Sequence, residues 1–249
     1  MKKTIITKDT LHINQLIGFF ESDPIFTIEQ ITSFYKRFEA EVKRNTIDWR
    51  IHQLKKLNVI YRISRGCYSL KEQNEFNPQI DDALHCLYKE ITEHFPFIEV
   101  CIWNTKWLNQ FMCHQIGKFF ILIEVDRDSV ESVFYYLREK HDNLFLNPPA
   151  EILEKYGDNK KETIIIKPLI SESPILKVDK VQIAPLEKIL VDLMSDELFE
   201  AYQGQELENI YQSVLEKHTI NQPQMLRYAS RRNKKKEVIS KLKILKELN

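Results

Sequence analysis

The stretch TIDWRIHQLKKLNVIYRISRGCYSL, residues 46–70, predicts a helix followed by a two-stranded hairpin. Ile47, Ile51 and Leu54 recur at i, i+4 and i+7, so they share one face of the helix. Thr46 is a suitable N-cap because its hydroxyl can accept a hydrogen bond from a backbone N–H of the first turn. The sequence therefore predicts an amphipathic helix that begins at residue 46.

The end of this helix and the hairpin are also readable. Asn58 stands where the helix should stop, and asparagine tolerates the left-handed conformation that ends many helices. Residues 59–63 are rich in β-branched and aromatic side chains, residues 64–66 (Ser-Arg-Gly) form a turn signal, and residues 67–70 read as the returning strand.

The helix face opposite the apolar stripe carries polar side chains and one tryptophan: Asn45, Trp49, His52, Gln53 and Lys56. A core contact does not account for Trp49 on this face, and Arg62 and Arg65 flank the hairpin turn. These features favour nucleic-acid binding. The alternative is a solvated, lysine-bearing helix in an ordinary α/β unit.

Two helices precede this stretch. Residues 11–20 predict the first, and the second begins at Thr27, which forms a capping-box pattern with Gln30. Phe26 and Ile31 have the spacing of a hydrophobic staple. Three short helices closed by a hairpin predict a winged helix-turn-helix.

In a winged helix the third helix enters the major groove of DNA. The side chains then placed at base edges are Asn45, Thr46, Trp49, Arg50 and Gln53. The side chains assigned to phosphate are Lys43, Arg44, Lys56, Arg62 and Arg65. Ser64, at the hairpin turn, is added to the predicted DNA-binding residues. Trp49 fits either a sugar or thymine-methyl contact or packing against a second domain.

The length of 249 residues suits one large domain or two ordinary ones, and the net charge of zero hides an asymmetry. Residues 1–72 hold 13 Lys/Arg against 8 Asp/Glu, and residues 225–249 hold 9 against 2. The acidic middle therefore separates two basic ends. The C-terminal end contributes a basic patch made of Arg227, Arg231, Arg232, Lys234, Lys235 and Lys236. This patch could bind nucleic acid or an acidic protein, and the alternative is a solvated helix end.

We divide the chain into a winged helix (residues 1–72), a polar linker (73–79) and a second domain (80–249). The second domain alternates helical and strand patterns and ends in a helical tail. The fold class expected is α+β, with a mixed sheet of four or five strands, one of them beginning at Phe97.

Sites for chemistry are weakly indicated. Glu124 and Asp126 end a buried strand, as metal ligands of nucleotidyltransferases do, but the Gly-Ser turn that such enzymes need is missing upstream. The adjacent pairs at 85–86 (His-Cys) and 113–114 (Cys-His) lack metal-ligand spacing, and no phosphate-binding glycine loop occurs. We therefore expect no metal, no cofactor and no catalytic residue.

A helix over residues 185–194 (PLEKILVDLM) shows an apolar stripe of leucine and isoleucine. Its charged side chains, Glu187, Lys188 and Asp192, are expected to face outward or sideways. Carboxylates at a strand end, such as Glu124, are expected to be solvated.

The location expected is the cytoplasm. No apolar run approaches the roughly 18–20 residues that cross a bilayer, and the first residues lack the apolar region of a signal peptide. The four cysteines, Cys67, Cys86, Cys101 and Cys113, show no CxxC spacing, so reduced thiols are expected.

The segment at residues 46–70, with its R-G-x-Y hairpin (Arg65 to Tyr68), resembles the N-terminal winged helix of AbiEi-type antitoxins of type IV toxin–antitoxin (abortive infection) systems. The segments PLEKILVDLM and RYASRR resemble the C-terminal part of a related bacterial group. Asn58 departs from the glycine expected at the helix end.

The resemblance implies a transcriptional regulator that binds its own operator as double-stranded DNA and represses its own operon. It further implies that the C-terminal domain counteracts a nucleotidyltransferase-like toxin without requiring a direct complex. Two alternatives stay open: a metal-dependent nuclease or nucleotidyltransferase with a DNA-binding front end, and a non-catalytic protein-interaction module.

Overall fold

The structure, a computed structural model, describes residues 8–21, 23, 25–64, 66–70, 76–114, 116–156 and 162–247. The chain divides into two compact units, residues 1–75 and 76–249. Phe76 packs on Trp107 and Phe111, with ring centroids 6.0 and 6.3 Å away. The predicted linker at 73–79 contains the division, and its part from Phe76 onward belongs to the second unit.

The first unit consists of short helices and three short strands among its described residues. Its elements are a 3-10 helix (Lys8–Leu11), α1 (Ile13–Phe20), β1 (Phe26–Thr27), α2 (Ile28–Lys36), α3 (Arg44–Lys56), β2 (Tyr61–Ser64) and β3 (Cys67–Ser69). The strands form an antiparallel sheet in the order β1–β3–β2. The backbone N–H of Ile28 donates to the carbonyl of Gly66 at 2.9 Å, which ties the start of α2 to the β2–β3 turn.

The capping box of α2 is confirmed. The N–H of Gln30 donates to Oγ1 of Thr27 at 3.3 Å, and the N–H of Thr27 donates to Oε1 of Gln30 at 2.8 Å. The N-cap predicted for α3 is wrong: the helix begins two residues before Thr46. The carbonyl of Lys43 accepts the first helical hydrogen bonds, from the N–H of Thr46 at 3.0 Å and of Ile47 at 3.2 Å.

The core of the first unit contains the apolar stripe predicted for α3. Its buried side chains are Leu11, Leu16, Phe20, Phe26, Ile31, Phe34, Tyr35, Ile47, Ile51, Leu54, Ile60 and Tyr68. The hydroxyl of Tyr35 donates to the carbonyl of Leu11 at 2.8 Å, and burial raises the pKa of this phenol to about 12. This bond fastens α2 to the segment that precedes α1.

The second unit is an α+β assembly, as predicted. Its strands are β4 (Val100–Asn104), β5 (Phe120–Val125), β6 (Leu144–Leu146), β7 (Thr163–Pro168), β8 (Leu176–Val178) and β9 (Val181–Ile183). Its α-helices are α4 (Asp82–His94), α5 (Val130–Arg138), α6 (Ala150–Tyr156), α7 (Leu186–Ser195), α8 (Gln205–Lys217), α9 (Gln222–Arg231) and α10 (Lys235–Glu247). Shorter 3-10 helices span Thr105–Phe111, Arg127–Ser129 and Glu197–Tyr202.

The sheet of the second unit is mixed, in the order β6–β7–β5–β4–β9–β8. The pairs β6–β7, β5–β7 and β4–β9 are parallel, whereas β4–β5 and β8–β9 are antiparallel. The register of β5 and β7 sets Glu124 beside Lys167 near the C-terminal ends of both strands. This end of the sheet carries most of the buried charge of the unit.

The predicted sheet differs from the observed one in two places. Among the described residues six strands pair, not four or five, because β8 was missed. The β8–β9 turn uses Asp179 (φ 46°) and Lys180 (φ 71°), which fits a tight hairpin turn without the usual glycine signal. The strand expected from Phe97 begins at Val100, and the side chain of Phe97 is 98% exposed.

Candidate functional site

The exposed face of α3 is the first candidate site. Asn45, Trp49, His52 and Lys56 are spaced four, three and four residues apart, so they form one line along the helix. All four are exposed, and Trp49 keeps 39% of its surface accessible. Since Ile47, Ile51 and Leu54 bury the opposite side, as predicted, this line has no part in the core of the first unit.

The backbone at the end of α3 leads directly into the hairpin. Asn58 adopts a left-handed conformation with φ 54°, as predicted for the helix stop. The N–H of Val59 donates to the carbonyl of Leu54 at 2.9 Å, a bond that satisfies one of the last helical carbonyls. Strand β2 then starts three residues after Asn58.

The structure describes most of the other residues predicted near DNA. Lys43 is exposed at the start of α3, and Arg44 is exposed and pairs with Asp48 at 3.4 Å between Nε and Oδ1. Thr46 and Gln53 are half-buried beside the exposed line, and Arg62 is exposed on β2. Arg65 and the side chain of Ser64 lie outside the described residues.

Arg50 differs from the other predicted base-edge residues. Its side chain is 11% exposed and its Nη2 lies 3.0 Å from Oε2 of Glu39. Its guanidinium also lies over the ring of Tyr35, 4.5 Å from the centroid. These contacts tie α3 to α2 and to the segment after it, so the structure gives Arg50 a packing role within the first unit.

A cluster of buried charges in the second unit is the second candidate site. Lys188 on α7 is fully buried, and its Nζ lies 2.6 Å from Oε1 of Glu124 and 2.5 Å from Oδ2 of Asp192. The indole Nε1 of Trp103 donates to the same oxygen of Glu124 at 3.2 Å. Strands β4 and β5 and helix α7 are therefore joined at one carboxylate oxygen, Oε1 of Glu124.

The cluster continues toward α9 and the surface. The hydroxyl of Tyr228 donates to Oδ1 of Asp192 at 2.7 Å, and Nε of Arg232 lies 3.3 Å from the same oxygen. Arg232 also donates to Oγ of Ser195 at 2.8 Å and approaches Asp196 at 3.6 Å. Asp196 in turn pairs with Lys167 at the end of β7.

Electrostatics keeps Lys188 charged, whereas burial raises the pKa of Glu124. Burial on its own lowers the pKa of Lys188, but the carboxylates of Asp192 and Glu124 outweigh it and raise that pKa well above its usual value. Burial and the charge of Asp192 likewise raise the pKa of the Tyr228 phenol, so this hydroxyl keeps its proton and donates. A small cavity of about 20 Å³ lies beside Glu124, Asp192 and Tyr228.

The sequence-based expectation for these charges was wrong. Lys188 and Asp192 do not face outward, and Glu124 is not solvated: the exposed fractions are 0, 5 and 5%. Asp126, the other carboxylate considered as a metal ligand, is exposed and accepts from the N–H of Glu99 at 2.8 Å. The signal that could have found the cluster is Lys188 and Asp192 at i, i+4 inside a predominantly apolar helix.

Some members of the predicted C-terminal basic patch pair with carboxylates, and the others are exposed. Arg232 belongs to the buried cluster, with 17% of its side chain exposed. Arg231 pairs with Glu172, and Nζ of Lys234 lies 3.5 Å from Oε1 of Glu237. The remaining members are exposed: Arg227, Lys235 and Lys236.

The described residues contain no group of three or more His, Cys, Asp and Glu side chains arranged to hold a metal. His114 instead places Nδ1 2.6 Å from Oε1 of Glu206, a contact that lowers the pKa of this carboxyl. The cysteines at 67, 86, 101 and 113 are free thiols.

A family model described as a family of unknown function, DUF6577, matches residues 46–247. The chain belongs to this family. The DUF6577 match begins inside α3 and covers the hairpin and the whole series of strands and helices in the second unit. No curated protein matches the chain. Within the described part of the chain, no helix combines the length and apolar character needed to span a membrane.

Proposed function

We propose that the first unit is a winged helix-turn-helix that binds double-stranded DNA through the exposed face of α3. The observation that carries this proposal is the line Asn45, Trp49, His52 and Lys56 on a helix followed at once by a hairpin. The order α1–β1–α2–α3–β2–β3, with the sheet order β1–β3–β2, supports it. In such a unit α3 enters the major groove and the β2–β3 turn approaches the backbone.

Each exposed residue of α3 has a chemical role in this proposal. Asn45 suits adenine, whose N6 and N7 an amide can bind in bidentate fashion. Trp49 offers an apolar surface for a thymine methyl or a sugar. Lys56 and Lys43 supply phosphate contacts, to which Arg65 adds one from the hairpin turn. Because Arg50 is held by Glu39 and Tyr35, we assign it to the support of α3.

We further propose that the protein regulates its own operon and acts as the antitoxin of a type IV system. The resemblance of residues 46–70 to AbiEi-type antitoxins supports this step. The second unit would then counteract a nucleotidyltransferase-like toxin, with no stable complex required. The exposed cations Arg227, Lys235 and Lys236 are available for this role.

The contacts of Glu124 bear on the enzymatic alternative. A metal-dependent nuclease or nucleotidyltransferase needs carboxylate oxygens that face a metal and a substrate. Oε1 of Glu124 is instead occupied by Nζ of Lys188 and Nε1 of Trp103. This supports a structural role for Glu124. Metal-dependent turnover of nucleic acid or nucleotide that is lost in Glu124→Ala would favour the enzyme instead.

A cell-based assay separates the two proposed activities. The double variant Lys43→Ala/Arg65→Ala should abolish repression of a reporter fused to the upstream region of its own gene. It should still rescue cells that express the neighbouring toxin gene. A matched variant, Lys89→Ala/Lys177→Ala, removes two exposed cations of the second unit and should leave repression intact. If the folded first variant loses rescue and repression equally, the division of roles between the units is wrong.

A further inference from the structure

A groove on the second unit lies at the opposite end of β5 and β7 from the buried charge cluster. It has a volume of about 360 Å³ and is open to solvent along one side. Its apolar base is formed by buried side chains near the N-terminal ends of β5 and β7 and on α4, namely Ile121, Ile164 and Leu87.

The rim of the groove is predominantly acidic. Glu90 on α4, Asp142 before β6 and Glu162 before β7 bring three carboxylates to it. Lys140 brings one ammonium, and His141 brings an imidazole whose Nε2 lies 3.8 Å from Oε2 of Glu90. Nζ of Lys140 lies 2.6 Å from Oε1 of Glu90, and this bond raises the pKa of the lysine. A cation therefore already sits against one rim carboxylate, and the formal charge of the remaining rim is negative.

An apolar base below an acidic rim matches one kind of side chain. Arginine and lysine lay a methylene stem along apolar surface while the charged head meets carboxylates. At the edge of the groove the ammonium of Lys140 already meets the carboxylate of Glu90, and it also lies over the ring of Tyr136, 4.6 Å from the centroid. An open groove also suits a chain segment better than a small ligand, which deep pockets enclose.

We propose that this groove is a docking site for an arginine- or lysine-bearing segment of a partner protein. Each of its lining residues belongs to the second unit, so this proposal does not rest on DNA binding by α3. Glu162 and Glu90 bind the incoming cations, and Leu87 and Ile121 contact their methylene stems. The bond between Lys140 and Glu90 competes with the partner.

Two cysteines provide the readout on the full-length protein. Cys86 is exposed and lines the groove, whereas Cys113 is exposed and does not line it. A hexa-arginine peptide should slow alkylation of Cys86 by iodoacetamide and leave the rate at Cys113 unchanged, as followed by mass spectrometry. A hexacitrulline peptide, which keeps the shape of arginine without its charge, should protect neither thiol.

Variants assign the protection to the rim. Glu162→Gln should raise the half-protecting peptide concentration about threefold, the size of one exposed ion pair. Lys140→Gln should lower it, because Glu90 loses the nearer of its two contacts and keeps that of His141 at 3.8 Å. Glu131→Gln, which neutralises an exposed carboxylate of α5 outside the groove, should not change it.

Three results would overturn the proposal. Equal protection of Cys86 and Cys113, or an equal effect of Glu131→Gln and Glu162→Gln, would mean that the peptide follows only the general negative charge. If the hexa-arginine peptide did not protect Cys86 even at low salt, the groove would not be a binding site for such a segment. Protection by spermidine at the same concentration of positive charge would assign the groove to a small polyamine and not to a protein segment.

Discussion

The Nζ atom of Lys188 lies 2.6 Å from Oε1 of Glu124, although the two residues are 64 positions apart in the chain. The pair joins the first turn of α7 to β5 in a region where both side chains are buried. A buried ammonium is tolerated only with compensating partners, and Asp192 supplies the second carboxylate. The arrangement fixes α7 against the sheet.

Removal of this ammonium should strongly destabilise the protein. Lys188→Met leaves Glu124 and Asp192 buried without their shared cation, and we expect a loss of about 3–5 kcal/mol in the free energy of unfolding. Urea denaturation, followed through the unfolding transition of the second unit, measures this change in the free energy of unfolding. Lys89→Met, at an exposed lysine on α4, is the control and should change stability by less than about 0.5 kcal/mol. An equally small effect of Lys188→Met would contradict the structural role of the cluster.

The phenol of Tyr228 has a smaller expected contribution. Tyr228→Phe removes the hydrogen bond to Oδ1 of Asp192 but keeps the ring, so we expect a cost of about 1–3 kcal/mol. The same denaturation experiment tests it, with Tyr135→Phe as the control because that ring is 64% exposed. Equal midpoints for the two variants would show that the bond does not contribute.

Substitution of Trp49 should separate binding from folding. Trp49→Ala should weaken DNA binding and shift the free energy of unfolding by less than about 0.5 kcal/mol, because the side chain lies outside the core. Ile51→Ala, two positions along the same helix, should cost about 2–5 kcal/mol because Ile51 is only 5% exposed. A large loss of stability in Trp49→Ala would instead place this side chain in a packing contact.

Lys56 should contribute a phosphate contact that salt screens. Lys56→Gln should weaken binding to all DNA sequences alike and reduce the slope of log affinity against log salt by about 1. Fluorescence anisotropy over a range of salt concentrations gives the slope, and Lys89→Gln serves as the matched loss of one positive charge. An unchanged slope in Lys56→Gln would exclude this lysine from the interface.

Local patterns predicted much of the first unit. The capping box at Thr27, the left-handed Asn58 and the stripe of Ile47, Ile51 and Leu54 each depend on residues close in sequence. The start of α3 was misplaced because the N-cap is Lys43, which makes no side-chain capping hydrogen bond, and not Thr46. Such a cap leaves no mark in the side-chain sequence.

The ion pairs between residues far apart in the sequence could not be predicted from local patterns. Glu124 and Lys188 read as solvated because periodicity assigns a side chain to a face but does not identify the opposite charge that will meet it. Arg232 likewise read as part of a surface patch, yet it approaches Asp192 at 3.3 Å. Only the packing of α7 and α9 near β5 brings these groups together.

Direct DNA binding by the full-length protein tests the central claim most closely. The DNA would be the region upstream of its own gene, titrated at several salt concentrations with random DNA as competitor. We predict that this region outcompetes random DNA and that affinity falls steeply with salt, as several phosphate contacts require. No preference over random DNA, or an affinity unchanged by Trp49→Ala and Lys56→Gln, would contradict recognition through the exposed face of α3.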